Sequence, residues 1–240
     1  MEVKDPQAPQ LTASGSFSRP PALSDLAYRE IEKMILAGDI ATGERLNDSR
    51  LARRFGISRG PVREAIGRLA SAGLIEIVKN RGAYVRVIHL NDALEIYDVR
   101  AGLERMGAMA AAEAKTPALI DSLKRQVDRM DVLKNKQDED GYYQANLAFH
   151  RTIYGASANE RLIELMYRLE RELQLFSHVS LVSAGMQESS IGHRDILAAI
   201  EKGDPELAGN MIERHIRQAK HRLIKVAETL NTTKASAAAG

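Results

Sequence analysis

Three of the chain's six histidines have the spacing from which a metal site is built. In "NLAFH", Asn146 and His150 stand four residues apart and share one face of a helix. His193 lies in a stripe with Leu197 and Ile200, and His215 in a stripe with Met211, Ile212 and Ala219. Each of the three therefore points inward from an apolar helix face. A lone inward histidine is ordinarily a core residue with a satisfied ring. Three on three helices, with an amide oxygen beside one, share a single solution: buried imidazoles need partners, and one divalent ion serves them all. Three nitrogens and one oxygen suit Zn or Ni and leave positions open for water or a ligand. His221 aligns with Arg214 and Arg217 and is expected at the surface, His89 falls in a linker, and His178 reads as packing. A histidine-held ion with an open position can also activate water, so a metallo-hydrolase is the competing chemistry. The chain contains no HExxH and no acid beside a histidine in a motif. It has no cysteine, which excludes disulfides, thiol nucleophiles and cysteine metal sites.

The second chemistry is electrostatic. In "FGISRGPVREAIGRLASAGLIE" the apolar residues Val62, Ala65, Ile66 and Leu69 mark one helical face, and Arg59 and Arg63 lie off it in the first turn. Residues 50–68 hold six arginines and a single acid, Glu64. The net charge of +2 hides this asymmetry. Residues 24–90 sum to +4 and residues 91–240 to −2. A basic run on short helices around a tight turn points to nucleic acid.

The elements that position these residues follow from period and punctuation. Residues 1–23, rich in Pro, Ser and Ala, read as a disordered arm. A helix over 26–36 stops near Gly38. A short one over 51–55 is capped by Asn47 or Asp48 and ends at Gly56. The next, N-capped by Ser58 with Pro61 in its first turn, stops at Gly73. "LIEIV" and "AYVRVI" read as two strands joined at Lys79-Asn80-Arg81-Gly82. Helix, short helix, tight turn, helix and hairpin is the winged helix-turn-helix, whose second helix enters the major groove. Arg59 and Arg63 would then reach phosphates and guanine edges, Gly60 would allow close backbone approach, and Arg81-Gly82 would form the wing tip. From 91 onward there is no strand signal. Helices are expected near 92–114, 117–135, 139–157, 160–182, 187–201 and 205–230, packed as an antiparallel bundle. The fold class is mostly α: a DNA-binding domain over 24–90, a helical domain over 91–232 and a flexible tail over 233–240. No apolar run is long enough to span a membrane and no leader precedes the arm, so the expected compartment is the cytoplasm.

The stretch "GDIATGERLNDSRLARRFGISRGPVREAIGRLASAGLIEIVKNRGAYV" resembles the GntR family of bacterial repressors. The resemblance implies a homodimer on a short pseudo-palindromic operator, with DNA contacts at Arg53, Arg59, Arg63 and Gly82. Thr42 replaces the family's usual Pro, and Gly60 stands where Thr or Ser is common, which removes one hydroxyl contact to phosphate. "VRAGLERMGAMAAA", "ANLAFHRTIYGASAN" and "HRDILAAIEKGDPELAGNMIERHI" resemble the FCD effector domain of the FadR subfamily. There the resemblance implies metal ligands at Asn146, His150, His193 and His215, with Asn146 in place of the usual Asp. It also implies a small carboxylic acid effector bound beside or onto the metal. Arg100 matches an arginine that can face this cavity; a surface arginine or a partner for Glu104 is the other reading. The function expected is a ligand-responsive repressor, not an enzyme. A regulator with a purely structural or signalling metal and the hydrolase are the alternatives.

Overall fold

The computed structural model describes residues 21–176 and 186–238. Helix α1 (Leu23–Leu36) buries Ala27, Ile31, Met34 and Ile35, the three-four stripe of its inner face. Helix α2 (Asp48–Phe55) starts where the Asn47 side chain accepts the Arg50 N–H at 2.9 Å. It ends at Gly56, whose φ of 68° suits a residue without Cβ. Helix α3 (Arg59–Ser71) buries Val62, Ala65, Ile66 and Leu69. Ser58 holds the N-cap position in extended conformation, but its side chain makes no capping hydrogen bond.

A strand that periodicity could not show, β1 (Arg45–Leu46), joins β2 (Ile75–Val78) and β3 (Gly82–Val85) in an antiparallel sheet of order β1-β3-β2. Register runs from Ile75 opposite Val85 to Val78 opposite Gly82. Asn80 (φ 60°) and Gly82 (φ 112°) carry the chain through the turn. The second strand, expected to extend through Ile88, ends at Val85. Arg86 makes the last bond, from its N–H to Leu74 O at 3.0 Å, and the chain then leaves the sheet for the next helix.

That helix, α4 (Leu90–Ala114), is N-capped by His89, whose backbone N–H donates to Asp92 at 2.9 Å. Its long run follows from alanines on the inner stripe, Ala93, Ala101, Ala108 and Ala111, which are buried and let other helices approach. The cap-plus-proline pairs behave as expected. Thr116 caps α5 (Pro117–Asn135), and Asp204 accepts from Leu207 at the start of the last helix. Between them lie α6 (Glu139–Gly155), α7 (Glu160–Phe176) and α8 (Met186–Lys202). The last helix, α9 (Pro205–Ala238), lies antiparallel along α4, tied by Lys220 to Asp98 at 2.6 Å and Arg105 to Glu206 at 2.5 Å. It continues as helical backbone to Ala238, past the tail expected from 233, because no Pro or Gly interrupts the sequence before Gly240. The portion expected at 177–182, His178 included, lies outside the described residues.

Helices α4, α5, α6, α8 and α9 form the bundle, with α7 between it and the winged domain. Charged side chains join the two. Arg171 of α7 pairs with Glu32 of α1 at 3.0 Å, and Glu172 of α7 pairs with Arg86 at 3.2 Å. The same Arg86 donates to Gly73 O at 3.2 Å. No described helix is long and apolar enough to cross a membrane.

Candidate metal centre and nucleic-acid face

Three inward stripes converge. On α6, His150 follows Phe149 and precedes Ile153; on α8, His193 precedes Ile196 and Ile200; on α9, His215 lies between Ile212 and Ile216. The rings are 2 %, 0 % and 4 % exposed, and one ligand nitrogen from each lies within 4.8 Å of the others. Neither nitrogen of His193 has a hydrogen-bond partner among the described residues, nor has Nδ1 of His215. Buried imidazoles left unpaired are costly, and a shared cation removes the cost at once. The donor set fits a divalent ion: three imidazoles whose ligand nitrogens lie within 4.8 Å of one another.

Protonation states agree with that role. Burial, then the neighbouring His215 and His150 rings, push His193 well below the usual histidine value. Burial and His150 push His215 down to about 3, with Glu104 opposing. Both rings are neutral at pH 7, the form that offers a lone pair. His150 is oriented from behind by Glu104 of α4, whose Oε2 makes a short contact with its Nδ1. This leaves Nε2 for the centre. Glu104 is wholly buried, which alone would raise its carboxyl; His150 and Arg100 override that and hold it at about 2. Arg100 donates to Glu104 Oε1 from Nη2 at 2.5 Å and from Nε at 3.1 Å.

A cavity of about 70 Å³ opens beside the His150 and His215 rings. Half-buried Asn146 lines it one turn before His150, and Arg100, Tyr97, Glu170 and Arg222 contribute from the other helices. Arg100 is buried, not at the surface; it pairs with Glu104 and lines the cavity. Glu170 is 2 % exposed and held by Tyr154 Oη at 3.0 Å and Arg151 Nε at 2.9 Å. Both acids are thus committed to partners, Glu104 to Arg100 and His150 and Glu170 to Arg151 and Tyr154. His221 is exposed and apart from the centre, as expected.

Sequence reasoning missed four residues here. Glu104 sits on α4's alanine stripe, four residues after Arg100, and that inward placement was a usable signal. Glu170 stands on the stripe of Met166 and Leu173, and Arg222 two turns after His215. Gly192 gave none. A Cβ there would overlap His215 Nδ1, so glycine is what lets α8 and α9 bring their rings together.

The six-arginine run separates into distinct tasks. Arg68 pairs with Asp25 at 2.7 Å and lies over the Tyr28 ring, fastening α3 to α1. Arg59 and Arg63 remain exposed and converge on one carboxylate. Arg59 Nη2 is 2.9 and 3.2 Å from the Asp48 oxygens, and Arg63 Nε is 2.6 Å from Oδ2. Arg63, then Arg59, hold Asp48 at about 2. Arg53, also exposed, bonds weakly to its own helix at Ser49 O, 3.4 Å. Gly60 has open space where a side chain would project. Arg81 is exposed at the hairpin turn, and beside it Gly82 carries positive φ with the Arg45 guanidinium 3.0 Å from its missing Cβ.

Comparison with known proteins follows this division. Residues 23–85 match the family described as bacterial regulatory proteins, gntR family, and residues 95–218 match the FCD domain. YdhC of Bacillus subtilis, described as an uncharacterized HTH-type transcriptional regulator, is 25 % identical over 203 residues. The match covers 84 % of this chain and 91 % of that one. The probable D-xylose utilization operon transcriptional repressor of Paenarthrobacter nicotinovorans is 28 % identical over 183 residues, 76 % of this chain and 80 % of that one. The solved structure of E. coli McbR/YncC superposes with a TM-score of 0.72 at 23 % identity, covering 86 % and 99 % of the two chains.

Proposed function

The chain belongs to the gntR family of bacterial regulatory proteins and carries an FCD domain, and on that premise we propose an acid-responsive repressor. It is a DNA-binding transcriptional regulator, not an enzyme. The finer reading is that residues 24–90 bind an operator and residues 91–232 dimerise and bind a small carboxylic acid at a divalent metal, Zn or Ni. The observation that carries it is the set of partnerless nitrogens on His193 and His215 beside His150, where His150 and His215 also line a cavity with Arg100 and Arg222. A purely structural ion would need no such opening. An ion held there would supply Lewis-acid attraction for a carboxylate oxygen. His150, His193, His215 and Asn146 would hold it, Glu104 fixes the His150 ring, and Arg100 presents a guanidinium to the acid.

On the DNA side, Arg59 and Arg63 are placed for bases or phosphates from the helix start, Arg53 for phosphate, Gly60 for close approach, and Arg81 and Gly82 for the minor groove. A repressor is proposed because a relative carries that description. The place of action is the cytoplasm, with the DNA.

The experiment is metal analysis with effector-dependent gel shifts on His193→Ala and His215→Ala. Metal content and the response to acid should both fall while acid-free operator binding persists. Variants that keep their metal and still respond would return the histidines to core packing. Sedimentation at micromolar concentration tests the dimer, since two recognition helices must lie about 34 Å apart on the operator. A monomer that stays single on DNA would defeat it.

A further inference from the structure

The cavity beside the histidines gathers more positive charge than one carboxylate neutralises. Its acids are already committed: Glu104 to Arg100 and His150, Glu170 to Arg151 and Tyr154. None of the four residues proposed to hold the ion supplies a carboxylate, because asparagine stands at 146. A divalent ion there would keep both of its charges.

Arg222 adds a further one. It lines the cavity and its side chain is only 17 % exposed. Its ion pair among the described residues is with Glu188, at 3.5 Å, and that carboxylate is 74 % exposed. Such a pair is long and screened by water, so it leaves a mostly buried guanidinium undercompensated. Lys220 of α9 does not line the cavity and pairs with Asp98 at 2.6 Å.

The positions give the positive groups an order. His215 and Arg222 are seven residues apart on α9, which places them on nearly the same face, about 10 Å of helix rise from each other. Arg100 precedes Glu104, the residue behind His150, by one turn on the antiparallel α4. The cavity therefore has one end at His150, His215 and Arg100, where a divalent ion would add its charge, and a second, cationic position at Arg222 nearer α9's middle, with Tyr97 of α4 also in its wall.

We infer that the effector of this chain carries two anionic groups, one for the histidine centre and Arg100 and the other for Arg222. The inference rests on the acid-binding reading above and narrows it to a dicarboxylate. With the arginine side chain closing part of the roughly 10 Å interval, a skeleton of about four to six carbons spans the two positions.

The test is calorimetry on the full-length, metal-loaded protein. Succinate, glutarate and adipate are compared with butyrate, valerate and hexanoate, in wild type, Arg222→Gln and Arg222→Lys. At least one diacid should bind tenfold or more tighter than the monoacid of equal length. Arg222→Gln should bring that ratio close to one, and Arg222→Lys should restore part of it. Metal content and thermal midpoint of the variants control for misfolding. Equal affinity of diacid and monoacid in wild type overturns the inference while leaving the acid-binding reading intact. So does an Arg222→Gln variant that weakens both classes alike. Failure of every acid to bind overturns the inference together with that reading.

Discussion

Asp48→Asn should raise the affinity of this protein for DNA of any sequence and lower its discrimination between sequences. In the free protein one carboxylate occupies both arginines of the α3 entrance, at 2.9 Å from Arg59 Nη2 and 2.6 Å from Arg63 Nε. A phosphate or guanine edge must compete with it. Both arginines are more than half exposed, so water screens the pairs. Exposed pairs of this kind are worth about 0.2–1 kcal/mol each, so freeing the two removes an opposing term of about 0.5–2 kcal/mol. At about 1.4 kcal/mol per tenfold, non-specific DNA should bind roughly 2- to 30-fold tighter. The carboxylate also fixes where the guanidiniums point. Without it they sample more rotamers and meet phosphates as readily as bases, so operator affinity should gain less than non-specific affinity. Acid cannot substitute for the mutation. Asp48 sits at about 2, below its usual 3.8, so the pairing is fully present above pH 4 and is lost only as pH falls through about 2. The assay is fluorescence anisotropy on operator and scrambled duplexes at two salt concentrations. If Asp48→Asn weakened binding to both duplexes, the carboxylate would be a support for the helix and not a competitor of DNA.

Other consequences follow from the bundle. Asn146→Asp should raise metal affinity, measured by competition with a chelator, because a charged oxygen is the stronger donor; by the same reasoning it should reduce any preference for a doubly charged acid. Gly192→Ala should lower the thermal midpoint by the equivalent of about 1–3 kcal/mol and reduce metal content, since the new methyl overlaps His215 Nδ1. Glu104→Gln removes the counter-charge of the buried Arg100 and should cost about 3–5 kcal/mol in urea unfolding of the metal-free protein at pH 7. Glu104 is held at about 2 against a usual 4.5, so its contribution is complete above pH 5, and the gap between variant and wild type should narrow as acidity approaches pH 2.

Much of the winged domain is written locally. Gly56 and Gly73 end helices because their positive φ suits glycine, and the two hairpin strands show in β-branched runs around Asn80. Strand β1 is two residues long, too short for any alternation to register. Three histidines could be assigned to one centre because each lies on an apolar stripe, and inward stripes of an antiparallel bundle must meet. What period cannot supply is the partner of an inward charge. Glu104 and Glu170 occupy core stripes; the i, i+4 spacing already offered Arg100 as partner of Glu104, but only the fold shows that His150 also meets it and that Arg151 and Tyr154 compensate Glu170. The Asp48 pairing, eleven and fifteen residues from its arginines, depends on how α2 and α3 cross.

One turn of α7 has a mechanical consequence. Glu170 belongs to the wall of the cavity beside His150 and His215, while the next two residues, Arg171 and Glu172, grip Glu32 of α1 and Arg86 beside the sheet. Successive residues of a helix are fixed about 100° apart by its hydrogen bonds. That turn behaves as a crank: any roll or slide that repositions Glu170 swings both grips through the same displacement. The Arg171–Glu32 grip bypasses the linker at 86–89, while the Glu172–Arg86 grip holds that linker's first residue. A chimera joining this winged domain to another bundle would have to carry this turn of α7 together with Glu32 and Arg86.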